Sequence, residues 1–193
     1  MVLADGIMGQ MMEPVHLPEE KKALTSEDIP AAKPWAISGS AKGERSVVKS
    51  LRLQPEVLEA HVEHLFEKYE RMETELERVE MENTEDAEVV FVAFGTMARL
   101  AREAMEILEE QGIKAGLVRP ISLWPFPYSA FDRLSGKTKV VISTELSMGQ
   151  LIQDVKLGVQ GRYPVKLISR TGGMLPTSLE IVDKTKKILE EVR

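Results

Sequence analysis

Three short segments carry residue types and spacings that could do chemistry. Gly95-Thr96 stands between an apolar run and a periodic stretch, so amides at a helix start could face an anion there. The commoner use of such a pair is a tight strand-to-helix turn. Glu145-Leu146-Ser147-Met148-Gly149-Gln150 puts a carboxylate at the end of a second apolar run. A buried carboxylate in such a place can serve as a general base. Hydrogen bonds to neighbouring loop amides, or a contact to a partner, would instead make Glu145 structural. Gly149 and Gln150 read mainly as turn and close-packing residues. Arg170 to Pro176 (RTGGMLP) forms the third segment, where Gly172-Gly173 suggests a loop needing positive φ.

Other chemistry is absent by residue type. With no cysteine among 193 residues there is no disulfide, thiolate metal site, cysteine-held iron–sulfur cluster or thiol nucleophile. His61 and His64 lie three apart on a helical pattern, but no third ligand accompanies them, and His16 stands alone. Neither GxGxxG nor GxxxxGK[ST] occurs, nor a serine nucleophile elbow or a paired catalytic carboxylate. A net charge of −6 without a basic aromatic patch argues against nucleic acid. No apolar run approaches the roughly 20 residues that span a bilayer. No basic-then-apolar leader opens the chain, so no membrane partner and a cytoplasmic location are expected.

The strands and helices around these segments follow from periodicity. Glu88–Phe94, Ile113–Arg119, Lys139–Thr144 and Val165–Ser169 read as strands. Met97–Gln111, Tyr128–Leu134, Gln150–Val159 and Ser178–Val192 read as helices, with Gly112 as a stop and Thr177 as an N-cap. Strands alternating with helices imply an α/β domain with a mainly parallel sheet over residues 87–193. In such sheets ligands and partners dock at the strand carboxyl ends, where all three segments lie.

Upstream, Leu58, Val62, Leu65, Tyr69, Met72, Leu76 and Val79 repeat at spacings of four and three. They predict a long amphipathic helix over 55–83, opened by Pro55 and ended near Asn83, with a heptad seam suited to a coiled coil or to docking. Residues 17–54 form a linker broken by Pro18, Pro30, Pro34, Gly39 and Gly43. At the start, Val2, Leu3 and Ala4 resemble the end of a strand and Asp5-Gly6 a turn, as though a strand had been cut from a preceding domain or pairs with another protein. A frayed, Met-rich tail is the plainer alternative.

Six segments in order, LADGIMGQMMEPV, AAKPWA, EHLFEKYERME, VAFGTMARLA, GLVRPISLWPFP and TGGMLP, resemble the α-type subunit of 2-oxoacid:ferredoxin oxidoreductases. The class resembled is the branched-chain one, acting on 2-oxoisovalerate (3-methyl-2-oxobutanoate). The resemblance implies a transketolase C-terminal-like domain at 87–193 and, at 1–16, the last strand and exit loop of a truncated thiamine-binding domain. Asp5, Gly9, Gln10 and Met12 would then lie nearest that cofactor domain. It further implies thiamine diphosphate and magnesium in the full complex, shared with another subunit, and an iron–sulfur cluster on a partner subunit. Ferredoxin and coenzyme A would engage the full complex, with no cofactor held by this chain alone. The family's YPITP-type and Arg-Gly-Gly-type segments have no counterpart here, so no catalytic residue carries over and the isolated chain should be inactive. Leu146 and Ser147 depart from the family's acidic-Met/Asn-Gly-Gln loop. Two alternatives stand beside this reading: a free-standing dimerisation module built on the heptad seam, and the equivalent domain of another thiamine enzyme of the 2-oxoglutarate or pyruvate class.

Overall fold

Short β-branched runs form the centre of the computed structural model, which describes residues 1–23, 25, 28, 33, 35–37 and 47–192. In chain order the elements are α1 (Pro55–Leu76), β1 (Val79–Glu82), β2 (Val89–Val92), α2 (Gly95–Glu110) and β3 (Ala115–Pro120). A 3-10 segment (Tyr128–Arg133), β4 (Val140–Glu145), α3 (Leu151–Val159), β5 (Val165–Ser169) and α4 (Ser178–Glu191) complete them. The five strands lie in the order β1-β3-β2-β4-β5. β2 runs parallel to both β3 and β4, and β4 parallel to β5, while β1 is antiparallel to β3.

Both faces of this sheet are covered. Val89 and Phe91 pack on one side with Ala101, Leu108 and Ile181 from α2 and α4. Val90 and Val92 pack on the other with Phe131, Val155 and Val159 from the 3-10 segment and α3. Two-sided burial is why β2 reads as an unbroken apolar run rather than an alternating one. The chain leaves β2 through α2 on the first face and leaves the adjacent β4 through α3 on the second. Neighbouring strands whose connections part in this way open a crevice at their carboxyl ends.

The helix expected over 55–83 ends at Leu76. Val79–Glu82 is instead an edge strand, with Val79 and Met81 turned toward the second core cluster. The two-residue alternation of VEME suits that half-buried edge, and the same residues happen to continue the heptad count. No residue of α1 is buried. Near its end Tyr69 meets Trp124 edge to face, ring centroids 5.4 Å apart. Val2–Ala4 forms no strand; a turn at 6–7 and a 3-10 turn at Met8–Gln10 follow it.

The chain divides into two units, Met1–Met11 with Lys68–Arg193, and Met12–Glu67. The expected linker belongs to the second unit together with the first part of α1. Its Pro18 is described, whereas Pro30, Pro34, Gly39 and Gly43 lie outside the described residues.

Candidate functional site at the strand carboxyl ends

Glu145 is the last residue of β4 and is 4% exposed. Its Oε2 accepts hydrogen bonds from the amides of Gln150 at 2.8 Å and Leu151 at 3.0 Å, and its Oε1 accepts from Ile152 N–H at 3.1 Å. The hydroxyls of Ser143 and Ser147 donate to the same carboxylate. Gln150, at the N-cap of α3, provides no side-chain cap of its own. A carboxylate borrowed from the preceding strand therefore satisfies the first amides of α3 and sits at the positive end of its dipole. With every lone-pair direction engaged, Glu145 works as an anchor of this loop. Gly149 makes the return possible: its φ is +107°, and a Cβ there would come within 3.3 Å of Ile152 Cγ2.

A second carboxylate stands at the start of α2, one strand away. Asp5 Oδ1 accepts from the amides of Ile7 (3.1 Å) and Met8 (2.8 Å), which closes the turn of the N-terminal segment. Its Oδ2 reaches the Thr96 amide at 3.4 Å, across 91 residues of sequence. Gly95, first residue of α2, has φ +59°, and a Cβ there would lie 3.4 Å from both Asp5 Oδ2 and Met8 Sδ. Burial pushes the Asp5 carboxyl up, but hydrogen bonding from the Met8 amide, from Thr96 and from the Ile7 amide outweighs it. The net pKa lies below the ordinary 3.8. Both helices that flank the crevice thus begin on a carboxylate supplied from elsewhere in the chain.

The carboxyl end of β5 is built around Arg170. Its amide donates to the Glu145 carbonyl at 3.3 Å, and its guanidinium pairs with Glu180. Glu180 also completes a capping box with Thr177 at the start of α4. Bonding to the Thr177 amide first, then to Arg170, holds the Glu180 carboxyl below its usual range. Gly172 and Gly173 have φ of +64° and +80° in the loop between them.

Apart from Gly172 and Gly173 in the loop after β5, the sequence-predicted residues fall into two groups. Asp5, Gly95, Thr96, Glu145, Gly149 and Gln150 gather along the carboxyl ends of β2 and β4. Gly9 and Gln10 lie on the exposed 3-10 turn beyond Asp5, while Met12, 97% exposed, belongs to the other unit. Among the described residues no three His, Asp or Glu side chains are placed to hold a metal ion. Asp5 is engaged with protein amides, so the residues present do not fit a magnesium–diphosphate group, and no chemical step through one is assigned to them. No helix among the described residues is long and apolar enough to cross a membrane.

Thr144 was missed at the level of sequence. It is 1% exposed, and its hydroxyl has no hydrogen-bond partner. Strand alternation puts it on the same face of β4 as Ile142, the face covered by α2 and α4. The available signal was a hydroxyl on an inward position of an otherwise apolar strand.

A doubly wound, mainly parallel sheet with one antiparallel edge strand defines a transketolase C-terminal-like domain. Many solved structures share its fold, two of them as follows. The 2-oxoglutarate:ferredoxin oxidoreductase from Magnetococcus marinus, with 2-oxoglutarate, coenzyme A and succinyl-CoA bound, matches 78% of this chain and 25% of its own at TM-score 0.61 and 25% identity. A split-gene transketolase, an inactive β4 tetramer, matches 60% of this chain and 42% of its own at TM-score 0.50 and 25% identity. Residues 87–181 match the family model of pyruvate:ferredoxin oxidoreductase core domain II. Along 98% of its length the chain is 37% identical to ketoisovalerate oxidoreductase subunit VorB of Methanothermobacter marburgensis, and it spans about half (52%) of that relative.

Proposed function

We propose that this chain is the C-terminal portion of a VorB-type α subunit in a thiamine-dependent 2-oxoacid:ferredoxin oxidoreductase. The complex oxidatively decarboxylates a branched-chain 2-oxoacid, 2-oxoisovalerate, to its acyl-CoA, releasing carbon dioxide and passing electrons to ferredoxin. Thiamine diphosphate, as electron sink, and magnesium belong to a site shared with another subunit, and the iron–sulfur cluster to a partner subunit. Residues 1–16 are the exit from the thiamine-binding domain. The part taken by this chain is to carry the core domain and its interfaces, in the cytoplasm, and alone it is inactive. The observation that supports this reading is the 37% identity to VorB along nearly the whole chain.

Reconstitution tests it. The chain is combined with the cognate thiamine-binding portion and partner subunits, and acyl-CoA formation coupled to ferredoxin reduction is measured. Activity with 2-oxoisovalerate that depends on adding this chain is the expected result. No acyl-CoA from any 2-oxoacid would overturn the assignment, and preference for 2-oxoglutarate would move it to another class.

One observation favours a second reading, self-association through α1. Leu58, Val62 and Leu76 of its seam are 42–45% exposed, unlike the packed seam of a docked helix. Light scattering that gives a monomer at high protein concentration rejects this reading.

A further inference from the structure

Among the described residues, three buried side-chain polar atoms have no hydrogen-bond partner: Thr96 Oγ1, Thr144 Oγ1 and Arg170 Nε. All three stand at the carboxyl end of the sheet, just beyond β2, at the end of β4 and just beyond β5. Leaving a buried hydroxyl unpaired costs about 1–3 kcal/mol, so its recurrence at one edge calls for a cause.

The two carboxylates at this edge are held very differently. Glu145 takes three amides at 2.8–3.1 Å and two hydroxyls, and is almost wholly buried. Asp5 takes one amide of α2, at 3.4 Å, long for an N–H···O hydrogen bond. Thr96 Oγ1 is near enough to help lower the Asp5 pKa, yet it meets no hydrogen-bond geometry with it. Asp5 is therefore a loose occupant of a place where α2 offers its positive end, Thr96 a buried hydroxyl, and Gly95 room for the Asp5 carboxylate and the Met8 thioether. Thr144 lies on the face of the sheet that α2 and α4 cover.

We propose that the start of α2, with Thr96 and Thr144, is a binding site for a small oxyanion, the carboxylate or phosphate group of a small molecule, which displaces Asp5. In its absence the N-terminal segment folds its own carboxylate into the place. A tethered group competes with an effective concentration of order millimolar, so a free anion at that level exchanges with it. Displacement releases the 1–11 segment from α2. The site is then a point where ligand binding is coupled to the position of the chain entering this unit. Its residues all lie within these 193 residues, so it stands apart from the oxidoreductase assignment.

The experiment is a titration of the 193-residue chain and of Asp5→Ala with sodium phosphate and, separately, sodium acetate at constant ionic strength, read by amide chemical shifts. In Asp5→Ala the Gly95 and Thr96 amides move saturably, whereas in the parent chain the same shifts need about tenfold more anion. Phosphate and acetate arms show which oxyanion the pocket prefers. Thr144→Val, nearly isosteric, weakens binding in the Asp5→Ala background at least severalfold while distant amides such as Val159 keep their positions. Absence of saturable shifts in Asp5→Ala up to about 50 mM of either anion overturns the proposal. Equal titration of the parent and the variant overturns it too, because Asp5 would then not occupy the site.

Discussion

The ring of Phe131 fills the space where a side chain at position 158 would begin: a Cβ on Gly158 would lie 2.4 Å from Phe131 Cδ2 and 2.8 Å from Cε2. Phe131 is fully buried beneath α3, so its ring has nowhere to retreat. Alanine at 158 gains about 1 kcal/mol of helix propensity. Overpacking a closed core costs about 1–3 kcal/mol, and more where the contact is this short. Gly158→Ala should therefore lower the denaturation midpoint, and a midpoint equal to or above the parent's would show that the ring can move.

Glu145 is the second test of packing against chemistry. Glu145→Ala removes the acceptor of three amides and two hydroxyls, and should cost about 2–4 kcal/mol in urea unfolding. Hydrogen exchange at Leu151 and Ile152 should quicken more than at Val155, one turn deeper. Glu145→Gln, which keeps one acceptor oxygen, should fall between the two. A neutral Glu145→Ala would remove the anchor role assigned to this residue.

Gly116 sets how closely β1 approaches β3. A Cβ on Gly116 would stand 2.8 Å from the Asn83 carbonyl oxygen and 3.0 Å from that of Glu82, both backbone atoms. Asn83 itself turns the chain with φ +52°. Gly116→Ala should detach the end of β1, exposing the amides of Val79–Glu82 to exchange while β2, β4 and β5 stay protected. Uniform protection across the sheet would contradict this.

Glu82 and Arg102 provide a pH-dependent case. Arg102 Nε and Nη2 donate to both carboxylate oxygens at 2.6–3.0 Å. These hydrogen bonds, against an opposing effect of burial and with help from the charges of Arg102 and Arg119, hold Glu82 below the ordinary 4.5. A depressed folded pKa gives stability that is present above the unfolded value and lost as pH falls through the folded one. Arg102→Met should thus cost stability at pH 7, by less than about 1 kcal/mol because both side chains are about a third exposed to water. The gap between parent and variant should narrow below pH 4.5. A gap that persists unchanged at low pH would assign the effect to packing of the arginine stem instead.

Much of the sheet was legible because its central strands, β2, β3 and β4, are buried on both faces. VVFV and VVIST leave no other economical reading, and the alternation with helices then fixes parallel crossovers. Val79 shows where periodicity misleads: three residues after Leu76 it extends a heptad, but VEME also alternates in twos, and only the facing β3 decides between them. The Glu145 loop was visible as a carboxylate beside helix-start residues five to seven positions on. The meeting of Asp5 with Thr96 was not, since nothing local links residues 91 apart. Thr144 was hidden for a different reason: beside Ser143 in β4, its hydroxyl stands out only once its burial and missing partner are known.

The antiparallel strand β1 has a consequence for how the molecule meets its own copies. An open strand edge presents a row of free amides and carbonyls that a neighbouring chain can extend, and that is the usual beginning of fibrous aggregation. β1 forms that border with four residues, and Glu80 and Glu82 on it are paired with Arg102 and Arg119. A further strand laid along it would have to be matched to a very short ladder and set against fixed charges. On this side of the sheet, the border resists extension by a strand from a neighbouring chain.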